Sequence, residues 1–126
     1  MENKRFRVKF TQKTSLLEEA QYLRGRIFLG QKHRDQDLFD EFCHHVVVVD
    51  QRRQRVVGTY RLLLGSVAKR NRGFYSETEF DMANIKRACR GELLELGRAC
   101  VDPDYRRYPV IRLMWRKILS FIEIHR

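Results

Sequence analysis

Three carboxylates fall within six residues at Asp35, Asp37 and Asp40, directly after a stretch with helical spacing. Like charges this close repel unless cations face them. Arg24, Arg61 and Arg98 are the candidate partners, each set in an otherwise apolar segment. Glu95 and Arg98 make a sharper case, because they interrupt Leu93, Leu94, Leu96 and Val101 in what reads as a central strand. Burying an ion is costly unless it is paired. Such charges are either a structural ion pair or a functional site, and charge alone leaves both open. For the aspartates the plain alternative is a solvated loop with surface arginines, since charged side chains are mostly exposed.

Other reactive residue types give weaker patterns. Cys43, His44 and His45 are adjacent, and a strand would send them to alternate faces. No matching His or Cys pair stands elsewhere at ligand spacing, so no metal is expected. Cys100 could be a nucleophile, but a small core cysteine is the commoner use of that residue. Gly58, Gly65 and Gly97 form no phosphate-loop pattern, and the segment from Asp102 to Pro109 contains no glycine.

The elements that must position these residues follow from periodicity. Residues 5 to 10 alternate charged and apolar side chains and predict a short half-buried strand. Ser15 stands three residues before Glu18, the spacing of a capping box. Leu16, Ala20, Leu23 and Ile27 then share one helical face, and Gly30 is a natural stop. Residues 31 to 45 are polar and irregular. Val46 to Val49 fit a buried strand, Asp50 to Arg55 a charged turn, and Val56 to Leu64 the second arm of a hairpin. Phe74, Tyr75 and Phe80 make residues 65 to 90 an ordered excursion rather than a linker. Leu93 to Val101 is a third apolar run, closed by Pro103. Pro109 opens a helix through Val110, Leu113, Met114, Lys117, Ile118, Phe121 and Ile122. The order is β, α, loop, β, β, excursion, β, α.

Composition narrows the setting. With 126 residues the chain is one domain, or part of one. A hydrophobic content of 43% excludes a disordered chain. No apolar run approaches the roughly 18 residues of a membrane span. The start, Met-Glu-Asn-Lys-Arg-Phe-Arg, leads into no apolar core, so a secretory signal is not expected and the cytoplasm is the default location. A net charge of +10 favours an acidic partner. Basic residues are spread along the chain rather than clustered with exposed aromatics, which argues against nucleic acid. Three cysteines, an odd count with no C-x-x-C spacing, suit a reducing compartment.

Five segments in order carry a resemblance. They are Arg24-Gly-Arg-Ile-Phe28, Asp35-x-Asp37-x-x-Asp40, Val57-Gly-Thr-Tyr-Arg61-Leu-Leu, Phe74-Tyr-Ser-Glu-Thr-Glu-Phe-Asp81 and Leu94-Glu-Leu-Gly-Arg98-Ala-Cys-Val. The series resembles the ornithine N-acyltransferases, also called hemolysin-like, which make lyso-ornithine lipid from acyl carrier protein thioesters. More distantly it is similar to the acyl-homoserine-lactone synthases. Both groups belong to the GNAT acyltransferase superfamily. The match covers about residues 15 to 118.

The resemblance implies an α/β (α+β) fold, a GNAT-like antiparallel sheet flanked by helices. An acyl-phosphopantetheine arm enters a splay beside the fourth strand. Residues 1–126 would form a single such domain, truncated after the fourth strand and its following helix. An open edge there invites a second copy or a complementing chain. Arg106-Arg-Tyr108-Pro109 stands where a coenzyme A enzyme would carry small residues with glycine. That favours acyl carrier protein as donor, which the positive charge suits.

Carried onto these positions, the resemblance makes Glu95 the catalytic base. It makes Arg24, Phe28, Asp35, Asp37, Asp40, Arg61 and Arg98 the acceptor-binding set, and Gly97, Ala99 and Cys100 the oxyanion and acyl-binding backbone. No bound cofactor is implied. The co-substrate is an acyl-phosphopantetheine thioester on acyl carrier protein. The reaction would move a fatty acyl group, a 3-hydroxyacyl chain, to the amine of an amino acid such as ornithine, in the cytoplasm or peripheral to the inner membrane through anionic lipid contact. The alternatives are an inactive or non-catalytic basic binding module of the same fold, and an enzyme like the acyl-homoserine-lactone synthases.

Overall fold

A computed structural model describes residues 5–12 and 15–125. Four strands, β1 (Phe6–Thr11), β2 (His44–Asp50), β3 (Arg55–Leu64) and β4 (Leu94–Val101), form an antiparallel sheet in the order β1-β2-β3-β4. Helix α1 (Ser15–Arg24) covers one face and helix α4 (Val110–Ile124) the other. Two short helices, α2 (Gly65–Arg70) and α3 (Ala83–Ala88), belong to the excursion between β3 and β4.

The two-sided cover explains the valine run. Val46 and Val48 pack toward α4 with Phe6, Val8, Leu62, Met114 and Ile118, whereas Val47 faces Ala20 and Leu23 of α1. A strand buried on both faces needs no polar alternation. The expected face of the first helix forms as read: Leu16, Ala20, Leu23 and Ile27 pack against Val47, Val56 and Cys100. Ser15 is the first residue of α1, and the position before it lies outside the described residues. Glu18 pairs with Arg34 at 3.1 Å. After Arg24 the helix widens into one π-helical turn, Gly25–Leu29, which Gly30 ends with φ 61°.

That turn sets the course of the acidic loop. A Cβ on Gly25 would stand 1.7 Å from the His33 carbonyl oxygen, so the returning chain lies directly on the glycine. Asp35 then donates its amide to the Gln21 carbonyl at 2.9 Å, and a short 3₁₀ turn at Asp40–Phe42 leads into β2.

On the other face, α4 buries Val110, Leu113, Met114, Ile118 and Phe121. Each such side chain taken from water is worth about 1.5–3 kcal/mol. Lys117 holds its ammonium 5.7 Å from the Phe10 ring centroid, and Ile122 is exposed. The segment whose residue pattern alone reads as a central strand, β4, is the edge of the sheet, pairing with β3 alone among the described residues, and it is the open edge that the truncated fold implied by the resemblance requires. Leu94 to Arg98 are therefore half-buried, whereas Cys100 and Val101 are buried, and Glu95 and Arg98 are not sealed inside a sheet. Among the described residues no helix is long and apolar enough to cross a membrane.

Helix α4 rests on β3 through a glycine. A Cβ on Gly58 would come within 2.5 Å of Val110 Cγ1. Gly58→Ala is therefore expected to lift α4 and cost about 1–3 kcal/mol of stability, read as a lower urea midpoint; an unchanged midpoint would mean the helix seat is loose.

Candidate active site

The end of α1, the acidic loop and β3 bring the aspartates and two of the arginines together in a closed lattice. Arg24, fully buried, donates from Nε to Asp35 Oδ2 at 3.0 Å. Its two terminal nitrogens reach the two oxygens of Asp40 at 2.9 and 3.2 Å. Arg61 approaches from β3 and gives Nη1 to both oxygens of Asp37 at 2.7 and 2.8 Å, and to Asp40 Oδ1 at 3.1 Å. Gln21 Nε2 adds a fourth donor to Asp40 at 3.1 Å. The acidic loop is thus paired rather than solvated. Burial alone would push the Asp40 carboxyl up, but the bonds and charges of Arg24, with His45 and Arg61, hold it below its ordinary value. Burial likewise opposes the Arg61 charge, and the bonds to Asp37 and Asp40 outweigh it.

The histidines divide as a strand requires. His45 faces the lattice and bonds the Asp40 carbonyl through Nε2 at 3.0 Å. His44 lies on the opposite face beside Phe10 and Phe121. Burial pushes both imidazoles below the usual value. Cys43 donates its thiol to the Phe39 carbonyl, and burial pushes its pKa up to about 12.

Arg98 closes the lattice from β4, its Nε 3.5 Å from Asp35 Oδ2. Its backbone is left-handed, with φ 49°. In the register, Thr59 faces Cys100 and Arg61 faces Gly97, so β4 carries one extra residue against Tyr60. This is a β-bulge centred on Arg98 and Ala99. A non-glycine residue there costs about 1–2 kcal/mol. The side chain supplies the restraint: the guanidinium sits 5.2 Å from the Phe28 centroid and 5.8 Å from that of Tyr75, besides its contact with Asp35. Tyr75 also lies 5.5 Å from the Arg61 guanidinium and packs edge-on to Phe39.

Glu95 fixes Tyr75 in place. Its Oε1 accepts from the Tyr75 amide at 2.9 Å, and its Oε2 accepts from the amide and hydroxyl of Ser76 at 2.8 and 2.5 Å. Both oxygens are occupied by amides at the start of the 3₁₀ turn Tyr75–Thr78.

Beyond the bulge lies a cleft of about 570 Å³ along the free edge of β4. Ala99, Cys100 and Val101 form its floor, Ile27 one rim, and Pro109, Ile111, Arg112 and Met114 of the α4 end the other. Tyr60 stands inside it, edge-on to Trp115 at 5.8 Å. Burial raises the Cys100 thiol to about 12, so it is protonated and a poor nucleophile at neutral pH.

The structure therefore gathers Arg24, Asp35, Asp37, Asp40, Arg61, Arg98 and Phe28 in one place, as the sequence reading required. Ala99 and Cys100 line the cleft, while Gly97 lies before the bulge and outside the lining. Sequence reasoning did not single out Gln21, His45 as a lattice member, or Tyr60. Gln21 lies one turn before Arg24, a spacing that could have flagged it. Nothing in the local pattern marks Tyr60, because its role depends on a bulge in another strand.

Residues 19–116 match the model of the acetyltransferase (GNAT) domain family. The chain is similar to the L-ornithine N(alpha)-acyltransferase of Brucella abortus (strain 2308), 33% identical over 135 aligned positions that cover 94% of this chain and 48% of that protein. It is likewise similar to the proteins of that name from Agrobacterium fabrum, 35% identical with 87% and 43% covered, and Rhizobium meliloti, 36% identical with 79% and 40% covered. The chain spans less than half the length of these curated relatives. No solved structure gives a significant match.

The left-handed bulge predicts an inverted substitution order. Arg98→Gly loses the side-chain contacts but relaxes the backbone, whereas Arg98→Ala loses the contacts and keeps a Cβ at positive φ. Urea melts are expected to place Ala below Gly by about 1 kcal/mol; the ordinary strand order, Ala above Gly, would contradict the geometry. The lattice predicts a pH profile. His44, His45 and Asp40 all have pKa values lowered by folding. As pH falls, the unfolded chain takes up each proton first, and stability is lost. The melting temperature should be level above about pH 6.5, fall in one step below it with the imidazoles, and fall again below about pH 4 with the aspartate. His45→Gln should shrink the first step and leave the second, and a profile with no first step would contradict the burial of both rings.

Proposed function

The chain belongs to the GNAT acetyltransferase domain family, and on that premise we propose that it acts in N-acyl transfer from a carrier-protein thioester to the α-amine of an amino acid such as ornithine. The observation that carries the reading is the adjacency of two features at the bulge: Ala99 lines an apolar cleft along the β4 edge, and its neighbour Arg98 belongs to the charged lattice. The names of the relatives support ornithine as the acceptor. A fatty, 3-hydroxyacyl donor and a place in lyso-ornithine lipid synthesis, in the cytoplasm near the inner membrane, complete the proposal.

In this reading the acyl arm lies beside Ala99 to Val101, and the backbone amides of Ala99 and Cys100 face the carbonyl oxygen as it gains charge. The acceptor enters from the lattice side. Asp37 and Arg98, with side chains 25% and 29% exposed, are the lattice members it can reach. Asp37 takes the acceptor's side-chain ammonium and Arg98 its carboxylate, while Arg24, Asp35, Asp40 and Arg61 hold that pair in place. Phe28 walls the entrance. The amine nitrogen attacks the thioester carbon, the C–N bond forms, the C–S bond breaks, and the thiol leaves with a proton.

The sequence reading made Glu95 the base. With both oxygens bound to the Tyr75–Ser76 turn, its proposed role is to position Tyr75. The amine then loses its proton to water, which is feasible because a free α-amine titrates at about 7.7–8.0. The free edge of β4 is where a further strand, from a second copy or a complementing chain, would pair.

The test is thiol release from acyl carrier protein loaded with a 3-hydroxyacyl chain, with ornithine as acceptor, across pH. Turnover should rise to a plateau near pH 8, following the amine. Glu95→Gln should keep kcat within about tenfold and lower stability by about 1 kcal/mol through the weakened turn. A loss of kcat beyond about a hundredfold would restore Glu95 as the base. A wild-type chain that releases no thiol would favour a non-catalytic binding module.

A further inference from the structure

Two concavities flank the loop from Asp102 to Pro109 and share Tyr108 as a wall. One is the apolar cleft, whose mouth carries Arg106 and Arg112. The other is a polar groove of about 480 Å³, lined by Arg5, Arg53, Arg107, Tyr105 and Asp104. Arg26 adjoins the cleft-lining Ile27 in sequence and is exposed. Arg5 is committed to Asp50, which also accepts from Tyr105, and Arg55 is paired with Asp102. Arg26, Arg53, Arg106, Arg107 and Arg112 are all exposed, and none forms a salt bridge among the described residues. The nearby Asp50 and Asp102 are buried and paired with Arg5 and Arg55, and Asp104 is the single acid in the groove lining.

The loop itself limits what can bind. Most of its amides are already used: Asp102 donates to the Val57 carbonyl, Asp104 to Asp102 Oδ1, Tyr105 to the Asp102 carbonyl, Arg106 to that of Pro103, Tyr108 to that of Tyr105, and Val110 to that of Tyr108. A pyrophosphate cradle needs such amides free. Anion recognition here falls to guanidiniums spread over two concavities, a pattern suited to several separated carboxylates rather than to one phosphate group. A donor whose arm fills the cleft must also rest its body on this rim.

We propose that the arginine face around residues 102–109 is the docking surface for an acidic protein that carries the acyl arm. The inference rests on the acyl-transfer reading above and adds where the donor sits. Charge complementarity of this kind acts on encounter rate and is screened by salt.

The experiment is a binding titration of the full chain with purified acyl carrier protein at about 50 mM and about 300 mM salt. Binding at low salt should weaken about tenfold or more at high salt, and weaken about tenfold in the double variant Arg53→Glu with Arg107→Glu. The variant Lys69→Glu with Arg70→Glu, which makes the same charge change on α2, should bind as wild type does. No binding at low salt, or equal loss in both variants, would overturn the proposal. So would tighter binding to phosphatidylglycerol vesicles than to the carrier protein, lost in the Arg53 and Arg107 variant. Thiol release from a free acyl-pantetheine is measured alongside. Binding without release leaves the docking face standing and removes the acyl-transfer reading, and release without binding does the reverse.

Discussion

Asp40 is shared by two buried guanidiniums, and the rest of the site depends on that sharing. Arg24 comes from the end of α1 and Arg61 from the middle of β3, so one carboxylate ties the helix layer to the sheet. Each ion is tolerable only because the others are present. Removing one member would leave an uncompensated buried charge, a defect worth about 3–5 kcal/mol. Replacing the whole lattice with apolar side chains could be neutral for stability. Its retention is therefore better explained by what it positions: Asp35 against Arg98, and Arg98 at the bulge.

The bulge links stability to chemistry. An unbroken β4 would present its edge amides in regular array. The extra residue instead turns the backbone at Arg98 and Ala99, next to the cleft floor. Arginine is an unfavourable choice for a left-handed position when judged on backbone alone. Here the side chain is held by Asp35, Phe28 and Tyr75, and that anchoring fixes the distortion. Glu95 contributes at one remove, because it holds the turn that presents Tyr75.

Much of this was legible in the sequence. The helix of Leu16 to Ile27, the valine strand and the hairpin follow from periodicity, since each buries its apolar side chains in one contiguous layer or two. The pairing of Asp35, Asp37 and Asp40 with arginines was one of two readings that charge spacing left open, the other being a solvated loop. The residue pattern of β4 misled on its own, because an apolar run reads alike in a central strand and in an edge strand whose flank carries a cleft, and the open edge was legible only through the resemblance. The left-handed Arg98 was invisible, because the residue type argues against that conformation and the cause lies in three side chains far along the chain. The inward-turned loop amides that shape the donor reading were equally hidden. They depend on Asp102 and on carbonyls whose directions no local pattern reports.

Strand β2 reads His-His-Val-Val-Val-Val-Asp. Its four central residues are interchangeable, so sliding the strand by one position would exchange valine for valine against both helices. Hydrophobicity therefore cannot choose the alignment of this strand. The choice falls to its ends. A one-step slip would carry His45 away from the Asp40 carbonyl and Asp50 away from Arg5 and Tyr105, stranding polar groups in oil. The bookends of the strand act as its alignment marks, since a one-step slip would refill three of the four valine places with valine and leave the polar ends to register the error.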